Sequence, residues 1–201
     1  VLKFHVNKGF TLKSWKRAVV NLQNAGLRVK TYLMFKPPFM SEGDALEHCV
    51  KWIVDVAEVS DEISVNPMNI QRGTIIDRLF RAKEYRPPWL WSLVELIERV
   101  NSVIHPKGGV NGEEDQISRL LIHPTAGGRI RGSHNCGKCD KHVVAAIERY
   151  SVSGDMREFV GLDCACKKTW RTEIELDVSL PAVLGVGIDR RGDPMMHLRS
   201  P

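Results

Sequence analysis

The run EISVNPMNIQRGTIIDRLFRAKEYRPPWLW, residues 62–91, decides how the first half of the chain folds. A β-type segment at residues 63–65 opens into a polar loop, and a helix is predicted to begin near Thr74. The loop contains Asn66, Asn69, Gln71 and Arg72. Because loops that follow parallel strands hold ligands in α/β proteins, these side chains indicate a site for a polar, anionic ligand. The alternative is an ordinary turn with solvated polar residues.

The flanking sequence alternates helices with strands. Thr11 is a predicted N-cap for a helix that ends at Gly26, and Ser41 caps a second helix. Residues 29–35 form a predicted strand, and residues 89–103 form a further amphipathic helix. This alternation predicts an α/β fold with parallel strands. Only two strands are evident, which is too few for a stable parallel sheet, so residues 1–104 are predicted to be the C-terminal part of a βα barrel or doubly wound sheet. A small complete α/β domain is the alternative.

The composition is that of a globular protein with a mild basic excess. Of 201 residues, 43% are hydrophobic, and the net charge is +5 with a pI near 9.0. The excess of 29 basic over 24 acidic residues favours an anionic partner such as nucleic acid. No apolar run approaches the roughly 18 residues of a membrane span, so a soluble cytoplasmic protein is expected.

A Gly-rich, charged segment at residues 105–116 is a predicted linker, and residues 117–201 are a predicted second module that holds four of the five cysteines. Cys136 and Cys139 form a C-x2-C pair, and Cys164 and Cys166 form a C-x-C pair, with a helix predicted from residue 140 to about residue 150. Two close pairs of thiolates are typical of a tetrahedral Zn²⁺ site. Disulfides and an iron–sulfur cluster are the alternatives.

Two further residues near these motifs have competing interpretations. His134 precedes the first pair by two positions, and it could replace one thiolate or donate to one. Cys49 falls on the apolar side of a predicted helix and is interpreted as a core residue.

The loop before the C-x2-C pair is basic and glycine-rich, with Arg129 and Arg131 separated by one residue. Glycines allow close approach of a phosphate, and arginine binds phosphate through two parallel hydrogen bonds. Together with the lysines beside the cysteines, the loop favours RNA binding; a solvated charged surface is the alternative. Trp89 and Trp91 could stack on bases, but packing at a helix start is the favoured interpretation.

Five motifs occur in one order along the chain: Asn7-Lys8-Gly9-Phe10, Lys36-Pro37-Pro38-Phe39, Asn66-Pro67-Met68-Asn69-Ile70-Gln71-Arg72-Gly73-Thr74, Tyr85-Arg86-Pro87-Pro88-Trp89-Leu90-Trp91 and His134-Asn135-Cys136-Gly137-Lys138-Cys139-Asp140. Together they resemble the radical S-adenosylmethionine proteins of archaeosine biosynthesis, the radical partners of archaeosine synthase. The resemblance runs from about residue 7 to residue 170.

The resemblance implies a function that the spacing of residues does not. Proteins of this kind act on tRNA whose D-loop carries a lysine-bearing 7-deazaguanine, and they cleave the lysine C–N bond with S-adenosylmethionine and a [4Fe–4S] cluster. It also implies a partial barrel of the radical S-adenosylmethionine type, with Lys36, Asn66 and Asn69 facing the cofactor. The residues expected to bind substrate or RNA are Gln71, Arg72, Arg86, Arg129 and Arg131. Catalytic residues are not assigned.

The chain departs from that resemblance because the three-cysteine cluster motif, which lies early in such barrels, is not found before Cys49. This chain alone is therefore expected to be inactive in the lyase step. The alternative function is a non-catalytic, zinc-containing module that binds RNA or docks the partner synthase. A zinc hydrolase needs an open metal position, which four cysteine ligands would not leave.

Overall fold

The computed structural model describes residues 9–104 and 119–184, without the side chains of residues 104 and 178–184. The elements in this part of the chain, in order, are α1 (Leu12–Asn24), β1 (Lys30–Phe35), α2 (Glu42–Ala57), β2 (Glu62–Pro67), α3 (Ile75–Arg81), α4 (Leu90–Ile104), β3 (Arg119–Ile122), α5 (Asp140–Ser153), a 3-10 helix (Met156–Phe159) and α6 (Cys166–Leu184).

Local signals in the sequence begin the first three helices. The side chains of Thr11, Ser41 and Thr74 each accept a hydrogen bond from a backbone N–H in the first turn of α1, α2 and α3. Such caps satisfy donors that have no partner within the helix. Gly26 follows α1 with a φ of 72°, as its predicted role at the helix end requires.

The sheet has three parallel strands in the order β1-β2-β3. The two strands expected within residues 1–104 are confirmed, and a third strand that was not predicted, Arg119–Ile122, pairs with β2 from Glu62 to Val65. The strand escaped prediction because four residues are too few to show a period. The α/β class is confirmed, and the sheet is small; the described residues do not form a closed barrel.

The hydrophobic core is continuous across both halves of the chain. It includes Ile63 and Val65 of β2, Leu93 of α4, Ile122 of β3 and Ile147 of α5. The predicted division into residues 1–104 and 117–201 remains a prediction, and its linker lies outside the described residues. What the structure adds is that the second half contributes a strand to the same sheet and a helix to the same core.

The two tryptophans at the start of α4 belong to this core. Trp89 and Trp91 are 7% and 1% exposed, so neither ring face is free to stack on a base, and the packing interpretation is confirmed. None of the helices in the described ranges combines the length and the apolar composition that a membrane span requires.

Candidate metal centre and adjoining cleft

The four cysteines of the second half meet at one point. The sulfur atoms of Cys136, Cys139, Cys164 and Cys166 all lie within 4.8 Å of one another. The Cys136–Cys164 and Cys139–Cys166 sulfur pairs are each 3.7 Å apart. A tetrahedron with Zn–S bonds of about 2.3 Å has edges of about 3.8 Å, so the site has the dimensions of one four-coordinate ion. A disulfide needs about 2.05 Å, and all four residues are free thiols here.

The loop that carries Cys136 and Cys139 is held in shape by the first residue of α5. The buried carboxylate of Asp140 accepts hydrogen bonds from the backbone N–H of Asn135 at 2.9 Å and of Gly137 at 2.7 Å. Gly137 has a φ of 87°, which a residue with a Cβ adopts only with strain. An acidic residue at a helix N-terminus is also favoured by the helix dipole. Asp140 therefore fixes the sulfur positions without contributing a ligand of its own.

Neighbouring N–H groups point at the sulfur atoms. The indole Nε1 of Trp91 donates to Cys166 Sγ at 3.3 Å, and Asn135 Nδ2 donates to Cys139 Sγ at 3.4 Å. Lys167 lies 5.0 Å from the Trp91 ring centroid. Four thiolates around a divalent cation carry a net charge of −2, and the two N–H donors partly offset it.

Burial and hydrogen bonding shift the pKa values of the clustered thiols in different directions. The backbone N–H of Lys138 lowers the pKa of Cys136 to about 7. Burial raises the pKa of Cys166 to about 12 and also raises the pKa of Cys139. Since a metal binds thiolates, metal binding at this site would release protons and weaken as the pH falls.

Two residues with open interpretations are now placed. His134 is not one of the clustered ligands, because its Nδ1 lies 2.8 Å from the carbonyl oxygen of Gly132. Burial lowers its pKa. Cys49 is 5% exposed within the core, and burial raises its pKa to about 12, so its interpretation as a core residue is confirmed.

The residues expected to bind cofactor or RNA fall into exposed and internally bonded groups. Asn66, Gln71, Arg72 and Arg129 are exposed. Gln71 Nε2 donates to Asn69 Oδ1 at 2.6 Å, which orders the loop after β2.

Arg131 connects the loop after β2 to the cysteine half. Its backbone oxygen accepts from Ile70 N at 2.8 Å, and its Nε donates to Ile70 O at 3.1 Å. Its guanidinium forms a 2.5 Å ion pair with the buried carboxylate of Asp77. That guanidinium lowers the pKa of Asp77 well below its usual range. The side chain of Arg131 therefore connects the two halves of the chain through a hydrogen bond and an ion pair.

Lys36, the residue directly after β1, forms a buried ion pair. Its Nζ lies 2.5 Å from Glu42 Oε2, while Glu42 Oε1 accepts from Trp89 N at 2.9 Å. The Tyr85 hydroxyl donates to the Lys36 carbonyl oxygen at 2.8 Å. Glu42 thus joins the strand end to the N-termini of α2 and α4. Nothing in the sequence pattern distinguished this glutamate from other acidic residues in first turns.

A polar cleft of about 520 Å³ opens beside this pair, at the carboxyl end of β1. Arg86 lies on its wall, with its Cζ 3.7 Å from the Trp89 ring centroid. Glu173 of α6 lies on the same wall and accepts a 2.8 Å hydrogen bond from Trp89 Nε1. Glu173 was missed by sequence reasoning, because it is 84 residues from Trp89 and no motif marks it.

The fold and the site together define a parallel α/β protein with a four-cysteine centre that could hold a metal ion. Its sequence is 34% identical over 172 residues to archaeosine synthase subunit beta of Methanosarcina acetivorans, and 35% identical over 171 residues to archaeosine synthase subunit beta of Thermococcus kodakarensis. An uncharacterised protein of Methanocaldococcus jannaschii is 30% identical over 177 residues.

The matches cover 85–86% of this chain but only 46%, 49% and 45% of the three relatives in the same order. The chain therefore spans about half the length of the curated relatives it matches. No protein-family profile matches the chain. No solved structure matches it either.

Proposed function

We propose that this chain is part of a tRNA-modifying enzyme that acts in archaeosine formation. The observation that carries the proposal is its 34–35% identity, over most of its length, to two archaeosine synthase beta subunits. The name "subunit beta" supports a partner subunit, for which we propose the lysine-transferring archaeosine synthase, and a tRNA substrate. The convergence of all four cysteines on one point supports a folded metal centre within the shared region.

The step that we assign to it is cleavage of the lysine C–N bond of a lysine-bearing 7-deazaguanine in the tRNA D-loop. S-adenosylmethionine on a [4Fe–4S] cluster would supply the hydrogen-abstracting radical. In this proposal the cluster belongs to the part of the relatives that this chain does not cover, and the three parallel strands are the late strands of a larger barrel. The exposed Asn66 is near the carboxyl end of β2, and Asn69 lies in the loop that follows this strand, which supports their proposed role toward the cofactor. Lys36 directly follows β1, whose last residue Phe35 pairs with Pro67 of β2, so Lys36 lies at the same edge of the sheet.

We assign Zn²⁺ to the four-cysteine centre as a structural ion. Four sulfur atoms within 4.8 Å of one another, with two pairs at 3.7 Å, suit one closed, four-coordinate ion. An iron–sulfur cluster has to place several irons between its cysteines and needs them further apart. Metal analysis of the purified protein should give one zinc per chain. Iron with acid-labile sulfide at this site would contradict the assignment.

We further propose that RNA contacts use the exposed Gln71, Arg72 and Arg129 and the partly buried Arg86 and Arg131. Exposed cations supply phosphate contacts without a fixed base preference. The double substitution Arg72→Gln with Arg129→Gln should weaken tRNA binding and flatten its dependence on salt concentration. The matched control Arg149→Gln with Arg157→Gln removes two exposed cations that already pair with Glu158 and Asp155.

Deletion of the native gene tests the proposed step directly. Nucleosides from digested tRNA, analysed by liquid chromatography and mass spectrometry, should lose archaeosine and accumulate the lysine-bearing 7-deazaguanosine. Loss of archaeosine without that intermediate would move the function to an earlier step. Unchanged archaeosine would overturn the proposal.

The second candidate is a non-catalytic zinc module that binds RNA or docks the synthase. The closed four-cysteine site favours it, because such a site holds structure rather than reacting. A copy of the native gene that carries Lys36→Met, which removes one side of a buried ion pair at the proposed cofactor edge, separates the two. If the altered protein still folds and binds tRNA but does not restore archaeosine, the result supports the enzymatic function. Full restoration of archaeosine would favour the non-catalytic zinc module.

A further inference from the structure

The cleft at the carboxyl end of β1 has charges of both signs on its walls. Lys36 and Glu42 neutralise each other there at 2.5 Å. The other charged residues that line it are Lys83, Glu84, Arg86, Glu173 and Asp177. Charged side chains that are not already in an ion pair are the ones available to a ligand.

Arg86 is a partly buried cation whose guanidinium contacts backbone oxygens. Its two terminal nitrogens donate to the backbone oxygens of Pro87 and His134, each at 2.8 Å. Within the described part of the chain it forms no ion pair. Withdrawing a charge from water without an opposite charge is costly, so a bound anionic group would stabilise this arrangement.

The Trp89 ring keeps the carboxylate of Glu173 apart from the guanidinium of Arg86. The guanidinium lies over the face of the ring, and Glu173 Oε2 is bonded to the ring N–H at its edge. Because each charge is anchored to a different part of one rigid, buried indole, the two do not collapse into an ion pair. The space between them suits a ligand that carries both charges.

We propose that this cleft binds an α-amino acid group, with its carboxylate at Arg86 and its ammonium at Glu173. A purely anionic ligand would face Glu84, Glu173 and Asp177, and a purely cationic ligand would leave Arg86 unpaired. The volume of about 520 Å³ lies within the range of roughly 300–1,000 Å³ that is usual for small-molecule sites.

The amino acid group has two possible sources, a side chain attached to a modified nucleobase or the amino acid end of a cofactor. The charge pattern of the cleft does not depend on the proposed function. Only the choice of probe ligands for the two sources rests on it. L-lysine represents the first and S-adenosylmethionine the second. L-methionine, whose side chain is uncharged, tests the shared group alone.

The test is isothermal titration calorimetry of the zinc-loaded protein expressed from its own gene. L-methionine is expected to bind, while its methyl ester, which lacks the carboxylate, and N-acetyl-L-methionine, which lacks the ammonium, should each bind at least tenfold more weakly. Tighter binding of L-lysine or of S-adenosylmethionine identifies the source if Arg86→Gln abolishes it, because S-adenosylmethionine held at a cluster elsewhere in the protein would be unaffected by that substitution. Absence of binding by all three amino acid ligands, or equally tight binding of inorganic phosphate, would overturn the inference.

Variants locate the site. Glu173→Gln keeps an oxygen for the Trp89 N–H but removes the charge, so it should weaken L-methionine at least tenfold and leave N-acetyl-L-methionine unchanged. Arg86→Gln should lose binding and Arg86→Lys should recover part of it, which a purely structural role of Arg86 would not produce. Arg157→Gln, at an exposed pair with Asp155, is the control. Failure of this set would leave the tRNA nucleoside test of the proposed function unaffected.

Discussion

Cys139 and Cys49 are both buried thiols, and their surroundings give them different roles. Cys139 is 7% exposed and lies 3.7 Å from the sulfur of Cys166, whereas Cys49 is 5% exposed among core side chains. Burial alone therefore does not identify a metal ligand. The convergence of several thiols, which the pair spacing in the sequence predicted, does.

Replacing Cys139 by serine is expected to remove the metal and destabilise the fold by roughly 3–5 kcal/mol, because a structural metal site contributes directly to folding. The measurements are metal content by mass spectrometry and denaturant unfolding. Cys49→Ala is the matched control and should keep a full complement of metal while losing only packing. Equal metal loss in both variants would contradict this assignment.

Asp77 predicts an acid dependence of stability. The Arg131 guanidinium holds the pKa of this carboxyl well below its usual value near 4. A carboxyl with a lowered folded-state pKa stabilises the fold above its unfolded pKa, and this contribution is lost as the pH falls below that value.

Asp77→Asn should therefore lower the melting temperature at pH 7, and its difference from the unaltered protein should shrink between about pH 5 and pH 2. Scanning calorimetry across that range is the measurement. Comparing the two proteins at each pH cancels proton competition at the cysteines. Asp163→Asn, at an exposed site beside Cys164, should show no such difference. A difference in melting temperature that stays constant down to pH 2 would mean that the charge of Asp77 does not stabilise the fold.

At the scale of elements, the loop that precedes the cysteine pair is a compact turn unit. Gly128 N donates to Ser133 O at 2.8 Å, and Gly132 N donates to Arg129 O at 2.9 Å. A Cβ on Gly132 would lie 2.2 Å from the Ala126 carbonyl oxygen, which is backbone and has little freedom to move. This unit places Arg131 against Ile70 and so sets how the two halves meet.

Gly132→Ala is expected to cost about 3 kcal/mol or more, because the turn must open to relieve the contact. Gly161→Ala is the control: it has a φ of 79° but nothing within 4 Å of its Cβ, so it should cost only about 1 kcal/mol from backbone strain. Urea unfolding of both variants measures the difference. Equal costs would show that the loop adapts to the added methyl group.

The elements that sequence reasoning predicted well are those with local signals. Thr11, Ser41 and Thr74 mark helix starts, and the C-x2-C pair marks a turn before α5. Two elements were not predicted from the sequence. The RLLI run of β3 is too short to show a period, and α6 begins at Cys166, the second cysteine of the C-x-C pair. The cleft between Arg86 and Glu173 depends on α6 packing against α2 and α4, which only the tertiary fold determines.

At the scale of the whole molecule, the cysteine centre and the sheet share one core. Trp170 of α6 is 4% exposed and donates to Ser92 Oγ of α4 at 2.7 Å, while Trp91 of α4 reaches Cys166. Gly43 at the start of α2 donates to Asp177 at 3.1 Å. Release of the metal would therefore loosen contacts on both sides of the predicted division at residues 105–116.

Calorimetric unfolding is expected to show a single cooperative transition, and EDTA should shift the whole transition to lower temperature. Addition of zinc in slight excess should restore it. Two transitions, of which only one responds to EDTA, would instead support independent units at residues 1–104 and 117–201.

The indole of Trp91 gives the molecule an optical property. Its Nε1 donates to Cys166 Sγ at 3.3 Å, and the ring is 1% exposed. A thiol or thiolate in contact with an excited indole quenches its emission by electron transfer, and coordination changes how readily the sulfur gives up an electron. Ultraviolet fluorescence of the unlabelled protein should therefore change in intensity as the centre fills, so that metal exchange can be followed in real time without a dye.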